Sequence, residues 1–512
     1  MTRLNEAETR VRTRQPTAMA NPEGGMGFIR DAKEELFVLA LNFASGKDTA
    51  YEKSDERFAR FLDLLYAVTV KDAKWIRHFL PWLRDSANMR TVSLIGGLEA
   101  AFGLWATNQT GGRQLVDGVL QRADEPGEAV AYWQKNYGRA LPKPVKRGIA
   151  DAVVRLYGER SVLKYDKRNR NWRFADVITH VHPKPKDERQ SELFRYLVKA
   201  RKNRGVPVPD ALTTLKAHYA LQRRARSNTM LLLNRRSLEE AAFTWEQALS
   251  LAGDSIRRAK LWEKLIPTMG YMAILRNLRN FDRANLSPAA RGDVVRILTD
   301  PHRVAGSRQF PYRFLSALTH SGAERWSRPL QQALELSVGN LPRPWGRYLV
   351  LVDQSASMYG RGGGFGTLPD GSVAALTGLL FQRRVQADVV AFGERSERID
   401  QVPGEELWES WKRFPRYRRS HPTRAVQENF DGHDGVVLIT DEQQRYDCAG
   451  TVRHVLGEDV SLVVWNFGGH ALGVSHTKKR THTFGGVSDG ALRAALFALD
   501  GAKIRYPFEI TD

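Results

Sequence analysis

Apolar and polar positions follow two different rhythms along the chain. From about Phe28 to Pro342, apolar residues recur at helical spacing, as in Glu34–Asn42, Arg60–Val68, Lys74–Leu83, Val145–Tyr157 and Met272–Phe281. The turn signals Asn108-Gln-Thr-Gly-Gly, Glu125-Pro-Gly and Leu286-Ser-Pro punctuate them. Many helices joined by short turns predict stacked helical pairs, an α-solenoid of degenerate repeats. The two prolines of Leu341-Pro-Arg-Pro-Trp345 stop the last helix. Strand and helix then alternate: Tyr348–Val352, a helix over Val373–Arg384, then strands over Ala387–Phe392, Gly435–Thr440 and Val460–Phe467. That order predicts a doubly wound α/β domain. The expected organisation is a flexible basic arm over 1–24, a helical-repeat domain over 25–344 and the α/β domain over 345–512.

Charge changes the picture. The chain of 512 residues has a formal net charge of +21. From Trp345 onward there are 20 Lys+Arg against 21 Asp+Glu, a net of −1, which leaves 58 against 36, a net of +22, in residues 1–344. A basic domain beside a neutral one implies a polyanionic partner, RNA or DNA ahead of an anionic membrane. Cys448 is the single cysteine, which excludes an internal disulfide and a cysteine zinc cluster. No secretory signal opens the sequence and no apolar run reaches membrane-spanning length, so a cytoplasmic protein is expected.

The strand over Tyr348–Val352 ends in Asp353-Gln-Ser355-Ala-Ser357. Alternation turns the carboxylate and both hydroxyls to one side, at the strand end where open α/β sheets place their ligands. A lone Asp-x-Ser reads as a helix cap. The full five-residue pattern after such a strand reads as oxygen ligands for a hard divalent cation, magnesium. A second carboxylate, Asp441, follows the strand Gly435–Thr440, and Thr423 stands in the intervening Ser420-His-Pro-Thr-Arg turn. Together these residues resemble the metal-ion-dependent adhesion site of von Willebrand factor A domains. By that resemblance Asp353, Ser355, Ser357, Thr423 and Asp441 are the metal ligands, some through water. The glycine run Gly360–Gly366 lacks the ending of a phosphate loop and reads as a mobile insertion. His470, His476 and His482 have no zinc-ligand spacing. No nucleophile–base arrangement stands out, so catalysis is not expected.

In the basic part the densest stretch is Lys164-Tyr-Asp-Lys-Arg168-Asn-Arg-Asn-Trp172-Arg173, followed by His182-Pro-Lys-Pro185. Cations interleaved with aromatics can contact phosphates and stack on unpaired bases. A solvated helix end is the other reading of such a run. With Tyr137-Gly-Arg-Ala-Leu, Ile149-Ala-Asp-Ala, Leu275-Arg-Asn-Leu-Arg-Asn280 and Phe310–Leu318, these motifs resemble the Ro autoantigen family over roughly residues 25–344. The resemblance implies a ring of HEAT-like repeats closed by a von Willebrand factor A-like domain. It implies a monomeric, non-enzymatic protein of a ribonucleoprotein, with small Y-type RNA on a basic outer face and ends of misfolded RNAs in the hole. RNA quality control and presentation of RNA to an exoribonuclease follow from it. Lys164, Arg168 and His182 fall at positions that the family uses for Y RNA. The competing expectation is a magnesium-dependent protein-binding adaptor, which leaves the charge split unexplained.

Overall fold

The computed structural model describes residues 18–20, 26–41 and 54–509, apart from short internal stretches of which 361–367 and 444–450 are the longest. Cys448, His470, His476 and most of the glycine run lie outside the described residues, as does the expected arm before Ala18. Ala18–Ala20, within that arm, is a strand paired antiparallel with Met26–Ile29. The chain divides into two compact units: Leu94–Arg303 with Ser321–Trp326, and the remainder, which joins the first helices to the α/β domain.

Leu94–Arg303 is built of consecutive helices whose neighbours pack on one another. Gly112–Val119 lies against Lys143–Leu156, buried through Leu115 and Val116 on one side and Val145, Ile149 and Val153 on the other. Gly148 makes this crossing possible, because a Cβ there would stand 2.6 Å from the Arg113 carbonyl oxygen. Arg113–Asp151 at 2.5 Å and Arg155–Asp117 at 2.7 Å tie the same two helices at their exposed edge. Glu125-Pro-Gly, expected as a turn, is instead the first turn of the helix Glu125–Tyr137. Proline has no N–H to lose there and its fixed φ suits the position.

In the other unit a six-stranded sheet runs in the order Ser396–Arg398, Gln386–Phe392, Arg347–Asp353, Gly435–Thr440, Ser461–Asn466, Thr481–Gly485. All neighbours are parallel except the short edge strand Ser396–Arg398. The three central strands are near-continuous apolar runs because both faces are covered. Leu349, Leu351, Val436, Leu438, Leu462 and Val464 face one helical layer that includes Ala425 and Val426. The helix Asp370–Arg384 packs on the sheet as well, with Gly378 admitting the Val352 side chain. Further along, the helix Ala32–Leu41 packs on the edge strand Thr481–Gly485. Phe37, Trp75 and Phe79 form one aromatic cluster with Tyr506 and Phe508, so the first helices and the last residues share a core.

Candidate metal centre and nucleic-acid surface

Asp353 ends the central strand and is fully buried. Its Oδ1 accepts the Ser355 backbone N–H at 2.9 Å, and its Oδ2 accepts the hydroxyls of Ser420 and Thr440, each at 2.7 Å. The hydroxyl oxygens of Ser355 and Ser357 are 3.1 Å apart. Asp441 follows the neighbouring strand Gly435–Thr440; its Oδ1 accepts the Gln443 N–H at 3.1 Å, and its carboxylate also bonds the Ser357 hydroxyl. Four of the five expected ligands are thus linked in one cluster, buried except at the half-buried Ser357. Thr423 is fully buried too, but it lies in the first turn of the helix Pro422–Asn429 rather than in an open turn. Ser420, three residues earlier, ties that segment to Asp353.

Burial pushes the Asp441 carboxyl well above the usual carboxylate range, and the nearby charge of Asp353 adds to the effect. Asp353 is raised as well, by burial first, against the stabilising bonds from Thr440, Ser355 and Ser420. Two buried carboxylates that disfavour each other's ionisation, beside two hydroxyl oxygens, are the donor types and charge that suit a hard divalent cation. Ser420 and Thr440 orient Asp353, and neither stood out in the sequence although each is within three residues of an expected ligand. Glu442, the next residue after Asp441, has a left-handed backbone at φ 62°. It makes a buried ion pair with Arg30 and accepts the Asn466 amide at 2.6 Å. With a separation of 412 residues, nothing in the sequence pattern could pair Arg30 with Glu442.

In the other unit, Lys164, Arg168 and His182 are all exposed. Lys164 is in the last turn of Glu159–Tyr165, its ammonium 5.0 Å from the centre of the Tyr165 ring. Arg168 belongs to the loop after that helix, and His182 caps the helix Phe174–Val181 with a left-handed φ of 52°. The whole run is not free for phosphate, as its cation density suggested. Arg173 is bonded to Asp166 at 2.6 Å, and Arg170 reaches Asp124 at 3.2 Å and Glu128 at 3.3 Å. These pairs hold the loop in place, while Lys164, Lys167 and Arg168 face solvent.

Residues 162–340 match the TROVE domain. Telomerase protein component 1 of Rattus norvegicus is 41% identical over 90 residues, 17% of this chain and 3% of that protein. Its counterpart in Mus musculus is 43% identical over 76 residues, 14% of this chain and again 3% of the relative. The match therefore spans only a small part of these relatives' length. The crystal structure of the Deinococcus radiodurans RO (RSR) protein superimposes with a TM-score of 0.62 over 92% of this chain and 100% of that chain, at 18% identity. At that identity the likeness speaks for the fold: helical repeats with a von Willebrand factor A-like domain. Domain match and fold together thus give a TROVE domain over 162–340 within a chain of helical repeats and an α/β domain. The matched domain includes Lys164, Arg168 and His182, the stretch whose motifs resemble the Ro autoantigen family.

Proposed function

We propose that the chain is a non-enzymatic RNA-binding protein. At the coarse level, the TROVE-domain match supports RNA as its partner. The finer reading is that a small noncoding RNA of the Y type lies on the exposed basic surface bearing Lys164, Arg168 and His182. Single-stranded ends of misfolded RNAs are its second substrate, in a quality-control role that presents RNA to a nuclease. The carrying observation is that the basic excess of +22 falls wholly before Trp345, where the exposed cations of the 164–168 segment stand in the matched domain. On the same reading Asp353, Ser355, Ser357, Thr423 and Asp441 hold a magnesium ion. Bound there, the ion would offer a coordination position to an acidic group of a partner. The protein-binding adaptor thus describes a second capacity of the α/β domain, favoured by its buried carboxylate pair.

Sequencing the RNA that copurifies with the protein tests the first reading, and Lys164→Ala with Arg168→Ala tests the surface. Phosphate contacts release counterions, so affinity for a structured RNA should fall steeply with salt. The double variant should bind more weakly and flatten the salt slope by roughly two. Unchanged affinity and slope would return the segment to a solvated helix end.

A further inference from the structure

Beside Lys164 is a cleft of about 240 Å³ whose lining the phosphate-binding reading does not use. Tyr165 and Trp172 line it, with Asn169 and Asn171 of the loop between them. Tyr157 also lines the cleft. Its ring is stacked flat on Phe174, 3.8 Å between centres and 11° between planes, and only 3% of the residue is exposed. Among the described residues its hydroxyl has no hydrogen-bond partner. A buried hydroxyl left unpaired costs on the order of 1–3 kcal/mol, so its persistence in a cleft wall calls for a ligand that can bond it.

The cleft is also held in shape. Gly127 lets the Trp172 backbone approach the helix Glu125–Tyr137, since a Cβ there would stand 3.0 Å from the Trp172 carbonyl oxygen. Arg170 spans Asp124 and Glu128, so the carboxylates of the lining are already paired with a cation. The other lining side chains are aromatics, two amides and one phenolic hydroxyl; Lys164 and Arg122 already lie 5.0 and 5.6 Å from the Tyr165 ring, and His180 lies 5.3 Å from that of Trp172. That set suits a flat, uncharged heterocycle with donors and acceptors on its edge and a phosphate nearby, which is an unpaired nucleobase of RNA.

We propose that this cleft is a nucleobase pocket. It takes one unpaired base of an RNA held by Lys164 and Arg168, with Tyr165 and Trp172 against its faces and the Tyr157 hydroxyl bonded to its edge. The assignment rests on the RNA-binding reading above, and its test separates the two. The full-length protein is titrated with two RNA hairpins of equal length, one fully paired and one carrying a single-nucleotide bulge. Tyr157→Phe keeps the stack on Phe174 and removes only the hydroxyl. It should weaken the bulged hairpin about three- to ten-fold, the worth of one hydrogen bond, and leave the paired hairpin unchanged. Trp172→Phe should keep most of the preference for the bulge, and Trp172→Ala should abolish it. Lys164→Ala with Arg168→Ala should weaken both hairpins alike. If that double variant acts as expected while Tyr157→Phe affects neither hairpin, or both equally, the pocket is refuted and the RNA surface stands. Adenosine and uridine monophosphates supply an arm that does not depend on the surface. Wild type should bind at least one of them at millimolar concentration, by ligand-observed NMR, and more weakly as Tyr157→Phe. Binding of neither nucleotide, or equal binding by both proteins, overturns the pocket whatever the hairpins do.

Discussion

Asp441 carries a folding cost that a bound cation would relieve. In the metal-free protein its raised carboxyl opposes folding once ionised, because the native state holds it buried beside Asp353. The sign follows from linkage: a folded pKa above the unfolded value gives stability that is complete below the ordinary carboxylate range and lost as pH rises through the raised value. Asp441→Asn removes that penalty and, on the proposed reading, a magnesium ligand with it. Without magnesium at pH 8, the variant should melt higher than wild type. With millimolar magnesium, wild type should gain melting temperature and the variant should not. Calorimetry with and without chelator checks both signs, and a magnesium-dependent rise in the variant equal to that of wild type would remove Asp441 from the ligand set. The residues of the buried cluster were legible because strand-end carboxylates and alternating hydroxyls leave a local pattern. Ser420, Thr440 and Arg30 were not, since what they do depends on partners brought close only by the fold.

At the scale of elements, the parallel sheet is pinned at the ends of its strands opposite Asp353. Arg347 opens the central strand and bonds Asp388 at 2.8 Å, Arg398 bonds the other oxygen at 2.5 Å, and His433 lies 3.0 Å from Asp388. Burial alone would raise the Asp388 carboxyl, but the bonds from His433 and Arg347 outweigh it and hold the carboxyl below its ordinary value. Such a depressed value contributes stability above about pH 4, which is lost as pH falls through the folded pKa. Asp388→Asn should therefore cost about 1–3 kcal/mol at pH 7, and the gap to wild type should narrow toward pH 3. Urea denaturation at the two pH values measures it; a gap that stays constant would show that packing, not charge, is what Asp388 supplies. The buried strands were legible as apolar runs, with ends within a residue or so of those observed. The edge strand Ser396–Arg398 was not, because three residues carry no periodicity. Thr481–Gly485 was missed for a related reason: its polar threonines and histidine hide a strand whose edge is covered by the helix Ala32–Leu41. Glu125-Pro-Gly misled because the residues that punctuate turns also begin helices.

For the whole molecule, the governing fact is that the exposed cations of the 164–168 segment and the carboxylate cluster belong to different compact units. Lys164 and Arg168 stand in Leu94–Arg303, whereas Asp353 and Asp441 stand in the unit that holds the sheet. If RNA is held chiefly by phosphate contacts, its affinity follows the cations and the ionic strength, and exposed charges farther away than about 10 Å are screened at 0.1 M salt. The carboxylate cluster is buried and small, and one bound cation would change its net charge by no more than the charge of that ion. The two functions should then separate in one experiment at fixed magnesium and fixed monovalent salt, which keeps the RNA fold constant. Asp353→Ala should lose the magnesium-dependent rise in melting temperature while binding a structured RNA within about two-fold of wild type, well inside the tenfold that 1.4 kcal/mol represents. Lys164→Ala with Arg168→Ala should do the reverse, keeping the thermal response and losing RNA affinity. A loss of RNA affinity in Asp353→Ala as large as in the double variant, with its folded state intact by circular dichroism, would mean that the cation binds RNA directly or is coupled to the surface that does.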